Sequence, residues 1–289
     1  MKEKVFLHFI RVISLIFILL FAVVLIHLIN ESVLSFKNVG LSLFEYRGEW
    51  RPLSNSPQYS IMPMIFGTLS VSFLAVLISL PLCIATAICF AFYVKEKYVS
   101  VMLSFIDLLA GIPSVIFGFI GLMVLVARFE DFFSMPTGEC LLLGAIVLAI
   151  MLFPFCVSSI YESIVSIKKT YYFSAIALGY SKEYIILKII LKLLLPSIYS
   201  SFIMALGRAM GETMAVMMVI GNSPLYPRLL KRILTIPALT ALEMGNAEYG
   251  SLHLSSIYAA NLILLIILVL LMSIAKIIQK WTMKTYEKN

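Results

Sequence analysis

Apolar positions along the chain gather into six long stretches, which read as membrane spans because a hydrocarbon core of about 30 Å needs about 20 helical residues. The first runs from about Phe9 to Ile29, with Arg11 placed to reach the nearer interface. Lys2 and Lys4 precede it as they would a signal peptide. The run is too long for one, however, and no small-residue cleavage pattern follows, so it reads as a retained span. A polar, aromatic segment from Asn30 to Ser60, carrying Trp50, Pro52 and Pro57, reads as a loop or short interfacial elements. The second span lies within Met62 to Val94; as one helix it exceeds the bilayer, so it must tilt, protrude or kink at Pro81. Beyond a turn at Lys95, Glu96 and Lys97, the third span (Val99 to Ala127) is interrupted at Gly111, Ile112, Pro113 and Ser114. The fourth is Cys140 to Ser159. From Ile160 to Leu195 the apolar run is broken by Lys168, Lys169, Lys182, Lys188 and Lys192. There Ile185, Ile186, Ile189, Ile190 and Leu193 mark one face of an amphipathic helix, so this segment is expected not to span. The fifth span follows Pro196 and ends near Gly221, a loop runs from Asn222 to Ser255, and the sixth span is Ser256 to about Ile278.

Composition agrees: of 289 residues, 62% are hydrophobic and 13% charged, far from the balance of a soluble domain, and the chain reads as an all-α membrane protein. Counted over the segments between spans, lysine and arginine are twice as frequent on the N-terminal side of the membrane as on the other, which puts both termini in the cytoplasm. The net charge of +7 is then a topology signal directed at anionic lipid, with no bearing on nucleic acid. The organisation expected is a first span with an outer loop (1–60), a five-span core (61–280) holding a cytoplasmic segment at about 160–195, and a cytoplasmic tail (281–289).

Little of the chain has the look of catalytic chemistry. The four cysteines lie in or beside apolar stretches without metal-ligand spacing, and His8, His27 and His253 are scattered, so neither a metal site nor a hydrolase is encoded. No GxxxxGK[ST] pattern occurs, so any ATP hydrolysis belongs to a partner.

Three features remain. Arg208 and Glu212 stand inside the fifth span in GRAMGETMAVMMVIGN, Gly207 to Asn222. A charge at mid-bilayer costs on the order of 3 kcal/mol, and spacing of i and i+4 would put the two on one helix face, each neutralising the other. An ion pair that only holds helices together rarely improves on apolar packing, which favours a functional role. The second feature is Gly111, Pro113 and Ser114, where a broken helix would turn amides and a hydroxyl toward an anion, a packing kink being the alternative. Asp107, a turn or two earlier, reads as a partly solvated carboxylate or a helix-packing hydrogen bonder. The third is the cytoplasmic segment, where the small residues Ser174, Ala175 and Ala177 lead to Gly179 and a second helix returns to the membrane. Such an element suits docking of a partner, or simply anchors the loop.

GRAMGETMAVMMVIGN closely resembles the signature of the permease subunits of bacterial high-affinity phosphate ABC transporters, and Met214, Ala215 and Val216 after the GET triplet resemble the C-type subunit more than its A-type partner. IMPMIFGT (Ile61 to Thr68), DLLAGIPSVIFGFIGL (Asp107 to Leu122) and HLSSIY (His253 to Tyr258) are similar to further stretches of that family, over roughly residues 60 to 280. The segment around Gly179 resembles the EAA coupling loop of six-span importer permeases, with Phe173 at the position of the family glutamate and Lys192 at that of a proline. The resemblance implies the type I ABC importer permease fold and a place in the bacterial inner membrane. It implies a second, A-type permease, two copies of an ATPase that holds Mg-ATP, and an extracytoplasmic phosphate-binding protein. This chain itself would need no cofactor. It further implies coupling through Ser174, Ala175, Ala177 and Gly179, and a phosphate path along Arg208, Glu212, Gly111, Pro113 and Ser114. Rival readings are a permease for molybdate, tungstate or sulfate, and an ATP-independent secondary transporter, which would be expected to show an internal repeat that this chain lacks.

Overall fold

The computed structural model describes residues 2–46 and 48–286. Of the charges that set the orientation, Arg47 and Lys288 lie outside the described residues, as do the side chains of Lys2, Lys4 and Lys284; the last three residues of the tail at 281–289 also lie outside. In chain order the elements are α1 (Lys2–Asn38), β1 (Trp50–Arg51), β2 (Gln58–Tyr59), α2 (Met62–Phe92), α3 (Glu96–Ala110), α4 (Ser114–Ile120), α5 (Ala127–Phe133) and α6 (Leu141–Ala177). Beyond these lie α7 (Lys182–Tyr184), α8 (Leu191–Gly211), α9 (Met214–Met217), α10 (Ile236–Glu243) and α11 (Leu252–Tyr286). Wide π-helical turns, Gly121–Val126 and Ile185–Ile190, join α4 to α5 and α7 to α8.

The chain divides into two compact units, Met1–Met62 with Leu239–Ile267 and Pro63–Ala238 with Leu268–Asn289. In the first unit, the most apolar window of α1 has none of its side chains buried by the rest of the chain, leaving every face for lipid. Polar residues extend α1 beyond the expected Ile29, and Ser35 fixes that extension: its amide donates to Ser255 Oγ (2.9 Å), and its hydroxyl pairs with Ser256 Oγ (3.0 Å). Ser251 starts α11 as a cap, its Oγ accepting from the Leu254 amide (3.1 Å). In the outer segment, β1 and β2 pair antiparallel with Trp50 opposite Tyr59. Trp50 is buried and its indole N–H finds an acceptor in Glu243, at 3.1 and 2.9 Å from the two carboxylate oxygens, while His253 Nε2 lies 2.8 Å from the same carboxylate.

The second unit is built on α6, whose Leu143, Leu148, Leu152, Cys156, Ile160 and Ile164 are fully enclosed and recur at nearly every fourth position. It packs against α3 and α8. The expected end of this span at Ser159 is corrected: α6 runs on through Ala177, 37 residues or about 55 Å. Lys168 and Lys169 do not break the helix, because lysines have high helix propensity and here lie on the portion that projects past the apolar stretch. A second correction concerns Pro196, which does not begin the fifth span. The helical run is Lys182–Gly211, with Pro196 inside it and the Pro196 carbonyl accepting from Gln279 Nε2 (3.0 Å). Lys188 and Lys192 face outward from this run while Ile185, Ile186, Ile190 and Leu194 are buried. The π turn takes up one extra residue without changing the phase of the helix beyond it, so Leu194 is enclosed where a regular helix would have turned Leu193 inward.

The interruption at Gly111 to Ser114 is a bend of 91° between α3 and the arm formed by α4, the π turn and α5. After α9 the chain doubles back, with the Ile233 amide donating to the Ile220 carbonyl (3.1 Å). This segment also closes the start of α6, as the amides of Cys140, Leu141 and Leu142 donate to the carbonyls of Val219 (3.2 Å), Lys231 (3.1 Å) and Leu229 (2.9 Å). Among the described residues five helices are long and apolar enough to cross a membrane, six when the bent pair is taken as one span, and the chain is a multi-pass membrane protein.

Candidate functional site

The charged string is split by a break in the helix. α8 ends at Gly211, Glu212 is extended (φ −71°, ψ 126°), and a new helix, α9, starts at Met214. The i, i+4 rule assumes continuous helix, so the expectation that Arg208 and Glu212 share a face and neutralise each other is corrected: among the described residues no ion pair joins them. Glu212 turns forward instead, its Oε1 accepting from the Ala215 amide (3.2 Å), so it caps a free amide in the first turn of α9 from the position before the N-cap residue, Thr213. Arg208 stands in the last turn of α8, where the unpaired carbonyls at a helix end favour a cation. Its guanidinium carbon lies 5.9 Å from the centre of the Phe155 ring on α6, and the residue is exposed in this chain.

The two breaks are neighbours through α4 and α9. A Cβ on Gly118 would come within 2.8 Å of the Ala215 Cα and 2.9 Å of the Met218 Sδ, so α4 lies on α9 at a distance that only glycine permits. Ser114 is half-buried at the first position of α4, and Gly111 and Pro113 are exposed. The Gly111 amide closes α3 by donating to the carbonyls of Asp107 (3.3 Å) and Leu108 (3.1 Å), and the Ile116 amide is taken by the Pro113 carbonyl (3.0 Å). Asp107 accepts from Ser158 Oγ on α6 (3.2 Å), the helix-packing role that was one of its two expected readings.

The segment around Gly179 is the second candidate element. The Tyr180 amide donates to the Ala175 carbonyl (3.3 Å) and the Gly179 amide to the Ile176 carbonyl (2.8 Å), the two bonds of a Schellman motif, with Gly179 at φ +82°. Ser181 then caps α7 by accepting from the Tyr184 amide (3.3 Å). The small-residue helix holding Ser174, Ala175 and Ala177 is therefore the end of α6 itself. Ala175 is buried, whereas Phe173, Ile176, Leu178 and the stacked pair Tyr180 and Tyr184 (ring centres 4.9 Å apart) form an exposed apolar tip.

Two sets of contacts had no sequence signal, because they join residues far apart in the chain. One is Trp50, Glu243 and His253. The other is Lys168 and Lys182, which donate to the carbonyls of Ala91 and Phe92, the latter at 2.6 Å.

Comparison with known proteins bears directly on this arrangement. The chain is 33% identical to a probable ABC transporter permease protein, YqgH, of Bacillus subtilis (strain 168) over 239 residues, 82% of this chain and 77% of that one. It is 32% identical over 274 residues, 86% of this chain and 84% of the relative, to a probable phosphate transport system permease protein, PstC, of Methanocaldococcus jannaschii. Among solved structures, a bacterial alginate ABC transporter in complex with its pentasaccharide-bound periplasmic protein aligns with a TM-score of 0.63 at 16% identity, covering 92% of both chains. That likeness gives the fold expected from the sequence, the type I ABC importer permease fold. Residues 83–284 match the model of the binding-protein-dependent transport system inner membrane component, and this span holds α6, the turn at Gly179, both helix breaks and Arg208; the chain belongs to that family.

Proposed function

We propose that this chain is a permease subunit of an ATP-driven inorganic phosphate importer of the bacterial inner membrane. The observation that carries the reading is Arg208. It is a cation within a membrane-crossing helix, exposed in the chain and without an ion-pair partner among the described residues, beside a broken helix, in a string that resembles the signature of phosphate permeases. Relatives named as phosphate transport permeases at about this level of identity support it. In the assembly, a second, A-type permease forms the path together with this one, two ATPase subunits carry Mg-ATP, and an extracytoplasmic binding protein delivers phosphate. Both termini and the tip at Gly179 face the cytoplasm, where the exposed apolar side chains around Leu178 dock an ATPase. Arg208 attracts the anion at the break while Phe155 holds its guanidinium in place, and a single weak contact lets the anion leave again. Gly111, Pro113 and Ser114 shape the same path, and Glu212 acts on it by fixing the start of α9.

The test is uptake of labelled phosphate into proteoliposomes carrying the complete transporter. Arg208→Gln is expected to lower uptake about tenfold or more, the worth of one charge-assisted hydrogen bond, with insertion and ATPase association intact. Wild-type uptake by an inserted, assembled variant would overturn the role of Arg208, and uptake of molybdate or sulfate in preference to phosphate would overturn the substrate.

A further inference from the structure

The last carbonyls of α2 have no following helical turn to bond. α2 ends at Phe92, and although the Tyr93 and Val94 amides both return to the Cys89 carbonyl (2.9 and 3.2 Å), nothing on the same helix reaches those of Ala91 and Phe92. Two lysines supply the donors. Lys168, on α6, gives its ammonium to the Ala91 carbonyl, and Lys182, the first residue of α7, gives its own to the Phe92 carbonyl (2.6 Å). Cations are favoured at a helix C-terminus, and here aromatic faces cover them: Lys168 lies 4.9 Å from the Phe92 ring centre and 5.7 Å from that of Tyr172, and Lys182 lies 3.8 Å from that of Tyr93. Of the lysines between 160 and 195, Lys169, Lys188 and Lys192 are exposed or face outward; only Lys168 and Lys182 touch α2.

The two lie on opposite sides of the turn at Gly179, one on each arm. A force applied to the tip between them reaches the end of α2 along both arms at once. We infer that Lys168 and Lys182 are positioning residues that clasp the end of α2 to the coupling turn, so that displacement of the turn by the ATPase is transmitted to α2 as well as along α6 and α8. This rests on the reading of the Gly179 segment as the ATPase dock.

The experiment uses the complete transporter in proteoliposomes, with ATP hydrolysis and phosphate uptake measured together. Lys168→Met with Lys182→Met keeps an unbranched apolar stem of the same length and removes the donors. The expected result is continued ATP hydrolysis with ATPase subunits retained, and a rise on the order of tenfold in ATP hydrolysed per phosphate taken up. Lys168→Arg with Lys182→Arg, which restores donors and charge, is expected to return the ratio to within about twofold of wild type. An unchanged ratio in the methionine variant overturns the clasp, and so does loss of the ATPase from the purified complex, which would make the lysines part of docking alone. Should the double methionine variant fail to insert, Lys182→Gln alone is scored against the same criteria. A wild-type complex that hydrolyses ATP without moving phosphate would instead count against the proposed function, leaving the clasp to be read from the coupling to whichever solute is moved.

Discussion

At Gly179 the α6 helix is closed by its own backbone, whereas at Gly211 the α8 helix is left open and the chain is handed to the next helix by a side chain. The first end uses a left-handed glycine and two carbonyl bonds, which hold the turn in one geometry. The second has no left-handed residue; Glu212 donates its amide to the Ala209 carbonyl (3.3 Å) and spends its carboxylate on α9. An end of that kind can be reset by changing one hydrogen bond. The contrast matches the tasks proposed for them, a rigid lever at the ATPase and an adjustable break beside the anion path.

The sharpest way to break the comparison is Gly179→Val. A β-branched residue at φ +82° meets the left-handed penalty of about 1–2 kcal/mol, and the Schellman turn should open. Co-purified ATPase should fall and the thermal midpoint in detergent should drop; retention of both would mean the turn is not held by its backbone. A smaller effect separates the two accounts of Glu212. As a cap, it should tolerate Glu212→Gln, which keeps an acceptor oxygen, while Glu212→Ala loses about 1 kcal/mol in thermal or denaturant unfolding. Equal losses in both variants would point back to charge. The smallest change expected is Ser181→Ala, about 0.5 kcal/mol from loss of the α7 cap, seen as a slight fall in midpoint with transport unchanged, because the neighbouring turn does not depend on it.

These two ends also mark how much was legible in the sequence. Gly179 after a run of small residues announces a helix stop by local chemistry, and the apolar stretches announce spans by length, so the turn and the spans could be read directly. The break at Glu212 could not, because the residues around it continue an apolar run and the i, i+4 spacing of Arg208 and Glu212 suits a continuous helix. The extent of α6 was hidden for a related reason. Lysines end an apolar run but not a helix, and only the folded chain shows that Lys168 reaches a carbonyl on α2. Trp50, Glu243 and His253 meet through tertiary contact, and no spacing along the chain foretells it.

The wide turns at Gly121–Val126 and Ile185–Ile190 have a genetic consequence. Each holds one residue more than a regular α-helix would use over the same rise. Loss of a single codon there leaves an ordinary helix with the flanking segments still in phase, whereas the same loss within the regular turns of α6 rotates everything beyond it by about 100°. The gene is thus expected to accept length changes at these two places and to resist them along α6.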